Sequence, residues 1–350
     1  MKKRLSTGEA EQEQRREQGH PRGLFAKSAY MVGYVTVVVV VTCGSFASWL
    51  FRRRRRGGRL SVPTESHLGD GFLSIVVAAF NEAENIQYTL ETVNLTLEDK
   101  KRAEIVLVDA GCTDNTMEVA LAVKMDVPVR ATSSTGGRGP AMNAGARAAK
   151  GDLLLFLHAD MALPAGFDSE LRGAFADPSV LMTCFRFGVN RARLRGREPW
   201  GLRVVEFMVN VRTQFLHLPY GDQALCLTKH KLDNMGGFPD YPMMEDFELV
   251  NRIRREEAEG GGRIHLLSRP ARCSPRRWEK YGVPKTTVMN YYFVFLHTVL
   301  RYSPEDIFRL YYGTKVTGGD QSAGENGGAG GSGGGDGDGA GGGAAGASGR

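Results

Sequence analysis

The chain has 350 residues, with 45 lysines and arginines against 39 acids, a formal charge of +6. That excess gathers in one run beside an apolar stretch, "FRRRRRGGR" at residues 51–59, which reads as a membrane flank rather than a nucleic-acid surface. No helix-turn-helix, zinc-finger or base-stacking pattern accompanies it, so nucleic acid is excluded as a partner.

Residues 1–28 are polar and highly charged without apolar periodicity. Residues 29–51, "AYMVGYVTVVVVVTCGSFASWLF", carry no charge and are long enough to cross a hydrocarbon core of about 30 Å as one helix. A cleaved signal peptide would have a shorter leader and a small-residue cleavage site, and a transit peptide would lack Glu9, Glu11, Glu13 and Glu17. A single-pass anchor is therefore expected, followed by a basic linker at 52–72. The heavier basic flank lies downstream, which places the following domain in the cytosol. The five cysteines are scattered and show no metal-ligand or redox spacing, as reduced structural thiols would. The sequon Asn94-Leu95-Thr96 would matter only in a lumenal domain. From residue 314 to 350 the chain is glycine-rich and too poor in apolar residues to offset its backbone entropy, so a disordered tail is expected. One domain, residues 73–313, remains.

Within it, strand and helix signatures alternate. "FLSIVVAAF" is a β-branched apolar run, and "NEAENIQYTLETVNLTL" follows with helical spacing at Ile86, Leu90, Val93 and Leu97. "AEIVLVD", a helix opened by Thr113 and Asp114, "VPVRA", a helix with Pro140 in its first turn, and "DLLLFLHAD" come next. This order predicts an α/β fold with a mainly parallel sheet flanked by helices. Ligands in such sheets sit at the carboxyl ends of strands, where Glu82, Asp109 and Asp160 fall. Any one of these acids reads equally as a helix cap; the three together point to a site. Further on, "VLMTCFRFGV" reads as a strand, and "GLRVVEFMVNVRTQFLH" and "EDFELVNRIRREEAE" as amphipathic helices. The apolar helix from about 284 to 301 is too short to span a bilayer. It either packs on the core or lies in the membrane interface and presents a lipid-linked acceptor.

The series "VVAAFNEAENI", "IVLVDAGCTDNT", "GGRGPAMNAGARAAKGDLLLFLHADMALP", "YGDQALCLTKHKLDNMGGFPDYPMMEDFEL" and "RRWEKYGVPKTT" resembles the family 2 glycosyltransferases of GT-A (Rossmann-like) fold. It is most similar to a small bacterial-type subgroup with FLHAD and GDQ…GGFP…MED motifs. The resemblance implies a metal-dependent, inverting transfer from a nucleotide-diphosphate sugar, UDP-sugar by default, to an acceptor hydroxyl or a lipid phosphate. It assigns donor contacts to Glu82, Asp109, Arg138, Asn143 and Asp222, and diphosphate neutralisation to Arg276 and Arg277. It gives the acceptor side to Gln223 and Trp278, and the acid pair at a helix start to Asp246 as general base with Glu245 beside it. The metal motif, two acids one residue apart, here reads His158-Ala159-Asp160. Asp160 is the implied ligand for Mg²⁺ or Mn²⁺. His158 is a ligand, a hydrogen-bond donor to phosphate, or a buried structural histidine. That departure keeps open a catalytically inactive nucleotide-sugar-binding scaffold held at a membrane. A nucleotidyltransferase would carry a glycine-rich, lysine-containing loop where "NEAENI" stands, and the GK[ST] ending of a phosphate-cradling loop is also missing.

Overall fold

A computed structural model describes residues 71–313. The expected anchor (29–51), most of the basic linker and the glycine-rich tail lie outside the described residues. Among those described, no helix is long and apolar enough to cross a membrane.

The first half follows the alternation. Strand β1 (Leu73–Ala79) leads to helix α1 (Ile86–Thr96), β2 (Ala103–Asp109), α2 (Thr116–Ala122), β3 (Val129–Ser133), α3 (Arg138–Ala148) and β4 (Leu153–His158). These four strands pair in parallel in the order β3-β2-β1-β4. Strands covered on both faces read as continuous apolar runs. In β1, Ile75 and Val77 face one core with α1, and Val76 faces the other with α3.

The second half departs from the expectation of a mainly parallel sheet. It contains the short β5 (Met161–Ala162), α4 (Phe167–Phe175), β6 (Val180–Val189), α5 (Leu202–Leu216), β7 (Leu225–Thr228), α6 (Lys229–Asn234), α7 (Glu245–Ala258) and β8 (Arg263–Cys273). Strand β7 runs antiparallel to both β4 and β6, β8 runs parallel to β6, and β5 runs antiparallel to β8. The result is one mixed sheet of eight strands, β3-β2-β1-β4-β7-β6-β8-β5. Strand β8 contains Pro270 and three arginines, a poor strand signature. It persists because the β6–β8 register shifts between Cys184 and Arg186, which leaves slack where the proline sits. Helices α8 (Arg276–Tyr281), α9 (Val283–Thr298) and α10 (Pro304–Tyr312) close the domain.

The loop before β2 is tied to α4 by a buried pair. Asp168 is fully buried, accepts the backbone N–H groups of Glu98 and Asp99, and lies 2.7 Å from Arg172. Arg172 also donates to the carbonyls of Gly71 and Arg102. Burial pushes the Asp168 carboxyl up, but those donors overcome it and hold the group below its ordinary value. Removing the carboxylate strands Arg172 in the interior, so Asp168→Ala is expected to cost about 3–5 kcal/mol of stability, read by urea unfolding.

Candidate active site

The carboxyl ends of β1, β2 and β4 open into a cavity of about 670 Å³. At the β1 end, Asn81 adopts a positive φ of 53° and the chain turns so that the Glu82 carbonyl caps α1. The Glu82 carboxylate accepts from Asn85 and from both terminal nitrogens of Arg276. Asp109, one residue before the lining residues Ala110 and Gly111, accepts the N–H groups of Gly111 and Cys112. The Cys112 N–H above all holds its carboxyl below the ordinary range, so this acid is ionised and fixed at the rim.

After β4, Asp160 faces the cavity with a side chain 17% exposed, 3.3 Å from Arg276. Burial raises its pKa, and Arg276 offsets this only in part. A buried carboxylate with an incomplete counter-charge fits a hard divalent cation. His158 does not fit that role. Its Nε2 receives Arg138 Nη2 at 2.6 Å, which occupies the lone pair a metal would use. Burial and the Arg138 charge push its pKa down to about 3, so the ring is neutral. No group of three metal-ligating side chains exists among the described residues, so remaining ligands would have to come from donor phosphates and water. His158 is half-buried, lines the cavity and pairs there with Arg138.

Arg138 begins α3, where Gly137 takes a φ of 102°. Its Nε lies 3.0 Å from Glu245, which is 1% exposed. Burial pushes the Glu245 carboxyl up to about 7 while Arg138 pulls against it. Glu245 thus sits behind the cavity wall and orients Arg138.

Asp246, in the first turn of α7, accepts Gly221 N–H at 2.6 Å on one oxygen and Phe247 N–H at 2.7 Å on the other. Gly221 is held between His158 and Asp246. A Cβ there would lie 2.7 Å from His158 Nε2 and 3.0 Å from Asp246 Oδ2, so only glycine lets the backbone donor reach the carboxylate. Asp222 beside it lines the cavity, and its Oδ1 is buried without a partner. Burial raises its pKa to about 6. The folded state holds that proton more tightly than the unfolded chain, so stability is lost as the pH rises from the ordinary value of 3.8 through about 6. Such an unfavourable acid in a cleft marks a functional position.

Two residues expected at the ligand are placed elsewhere. Asn143 donates to the Phe238 carbonyl and accepts the Phe238 N–H, both at 2.9 Å, and clamps the "GGFP" segment to α3. Gln223 is fully buried, accepting from Thr213 and donating to the Phe185 carbonyl. Both amides satisfy irregular backbone or buried polar groups that would otherwise be orphaned. Arg276, Arg277 and Trp278 do line the cavity, on helix α8. Trp278 packs edge-on to Phe187 and is 8% exposed.

The opposite wall is formed by Phe293 and Val294 of α9, the apolar helix read from the sequence, and by Phe308, Tyr311 and Tyr312 of α10, which the sequence reading missed. A signature was present. Ser303-Pro304 followed by acids marks a helix start, and Ser303 Oγ indeed accepts the Asp306 N–H.

The fold and cavity define an α/β protein with acids and arginines converging at parallel strand ends. Residues 74–236 match the sequence model of glycosyl transferase family 2. An uncharacterized glycosyltransferase of Mycobacterium tuberculosis is 28% identical over 186 residues, covering 51% of this chain and 68% of that protein. The glycosyltransferase AglE of Haloferax volcanii is 32% identical over 92 residues, 25% of this chain and 30% of AglE. Among solved structures, a mannosyltransferase from Pyrobaculum calidifontis, in complex with GDP-Man and Mn²⁺, superposes with a TM-score of 0.50 at 18% identity, covering 81% of this chain and 79% of that one. The chain is a glycosyltransferase.

Proposed function

We propose that the chain is an inverting family 2 glycosyltransferase that moves a sugar from a nucleotide diphosphate to an acceptor hydroxyl or lipid phosphate. The observation that carries this is Asp246, its carboxylate fixed by two backbone N–H groups in the cavity that also holds Asp160, Arg276 and Arg277. For a hydroxyl acceptor, Asp246 takes the proton as the oxygen bonds to the anomeric carbon, and the diphosphate leaves with the electrons of the broken bond. No covalent nucleophile is needed. Arg276 and Arg277 neutralise the departing charge, Arg138 adds to that field, and Asp109 and Glu82 border the nucleoside end. A Mg²⁺ or Mn²⁺ held by Asp160 would supply Lewis-acid stabilisation of the diphosphate. The Mn²⁺ complex of the archaeal mannosyltransferase supports a metal of that kind, and its GDP-Man keeps the choice between UDP and GDP donors open.

The test is calorimetric titration of the protein with UDP and with GDP, with and without Mn²⁺. Manganese-dependent binding of one nucleotide supports the reading, and no binding of either would sink it. Binding without turnover over a panel of donors would favour an inactive scaffold at the membrane.

The raised pKa of Asp222 gives a further expectation. If its carboxylate accepts a sugar hydroxyl, transfer climbs as the pH passes about 6, and Asp222→Asn flattens that limb of the pH–rate profile. A limb unchanged in the variant would take Asp222 out of the donor site.

A further inference from the structure

Helix α8 presents two neighbouring arginines to the cavity, and their partners differ in charge. Arg276 lies against the carboxylates of Glu82 and Asp160. Arg277 has no carboxylate partner among the described residues. Its Nη2 donates to Asn290 Oδ1 of α9 at 3.1 Å, and its guanidinium carbon stands 5.6 Å from the centre of the Tyr311 ring of α10. Its Nε is buried without a hydrogen-bond partner. A guanidinium has donors only, so the amide must turn its oxygen to it, and the ring attracts it through the negative face of the π system. Both partners are neutral. They fix the side chain and leave its charge uncompensated.

Three consecutive helices therefore meet at one guanidinium. Arg277, Asn290 and Tyr311 all line the cavity, and Asn290 shares that side of α9 with Phe293 and Val294, three and four residues on. One turn earlier, Thr286 Oγ1 donates to the Arg277 carbonyl and ties α8 to α9. Arg276 turns to Glu82, at the nucleoside end. The Arg277 charge reaches deeper: burial raises the Asp160 and Asp222 carboxyls, and Arg277 is among the cations that oppose it at both. An anion entering the cavity thus meets one arginine shared between two acids and one shared with none. Fixing a long side chain before binding spares the rotamer entropy that binding would otherwise cost.

We infer that Asn290 and Tyr311 are positioning residues that hold Arg277 as the uncompensated cation for the outer phosphate of a nucleoside diphosphate. The inference rests on the donor reading above and adds two residues and one phosphate to it.

The experiment is calorimetric titration of the full chain, with Mn²⁺, by UDP, GDP and the matching monophosphates. The variants are Arg277→Gln, Asn290→Ala and Tyr311→Leu, and each of the last two combined with the first. Arg277→Gln is expected to weaken diphosphate binding about thirtyfold and monophosphate binding by less than about twofold. Asn290→Ala and Tyr311→Leu keep the charge but free the side chain, so each should weaken diphosphate binding about fivefold. In the Arg277→Gln background both effects should vanish, because residues that act through one side chain are not additive. Tyr311→Phe keeps the ring face and should restore diphosphate binding to within about twofold. Asn290 is exposed within α9, where alanine favours the helix, so Asn290→Ala is expected to keep its melting temperature. Unchanged diphosphate binding in the single variants, equal losses for diphosphate and monophosphate, or losses of the same size in the Arg277→Gln background would overturn the inference. If neither diphosphate binds the unaltered chain, the donor reading itself fails, and the two failures are read separately.

Discussion

Asp246→Asn is expected to lower sugar transfer by about two to four orders of magnitude while leaving nucleotide affinity within about twofold. The carboxylate lines the cavity and is held rigidly by Gly221 and Phe247 N–H groups, so its geometry depends little on the ligand. Asparagine keeps the shape but has one acceptor oxygen where aspartate has two. One of the two N–H groups then faces an amide NH₂, a loss of about 1–2 kcal/mol that should appear as a melting temperature lower by a few degrees. The diagnostic pattern is a collapse of kcat with donor binding intact, because the proton acceptor acts in the chemical step and not in nucleotide recognition. Near-normal turnover would assign the base elsewhere.

Asp160→Ala is expected to weaken manganese-dependent nucleotide binding by on the order of a hundredfold, about 3 kcal/mol, and to leave metal-free binding little changed. Asp160 is the carboxylate beside His158, and the histidine lone pair is taken by Arg138. The pH dependence has a definite sign. Burial raises the Asp160 pKa, the protonated acid cannot hold a cation, and manganese-dependent binding therefore weakens as the pH falls toward that raised value. The control is Glu82→Gln, which loosens the clamp on Arg276 while sparing Asp160. Removing Mn²⁺ with a chelator should reproduce the alanine variant in the unaltered protein. Equal manganese dependence in both proteins would remove Asp160 from the metal site.

The two amides show what kind of residue the sequence misplaces. Asn143 and Gln223 lie in motifs beside candidate ligand contacts, but an amide carries both donors and an acceptor. Each serves the interior, Asn143 by pairing with both backbone groups of Phe238 and Gln223 by bridging Thr213 and Phe185. His158 is a related case. A ring at the end of β4 leaves metal ligand, phosphate donor and structural histidine all open in the sequence, where the guanidinium against its Nε2 cannot be seen. In each case the deciding contact comes from a segment at least ten residues away, which no local spacing records.

The sequence by itself determined the parallel half of the sheet. Strands buried on both faces must be continuous apolar runs, and their carboxyl ends must carry the acids Asp109 and Asp160, with Glu82 in the turn just beyond β1. Only the tertiary structure decided the antiparallel half, because β7 has four residues and β8 carries Pro270 and three arginines, so their strand character comes from their partners. It alone also decided which charges meet. Arg276 spans Glu82 and Asp160, Arg138 spans Glu245 and His158, and the apolar wall of α9 and α10 closes over them from some 150 residues further along the chain than Asp160. Local propensity specifies an element and its ends, whereas the sign and strength of the field in a cavity depend on the distances between charges, which packing alone sets.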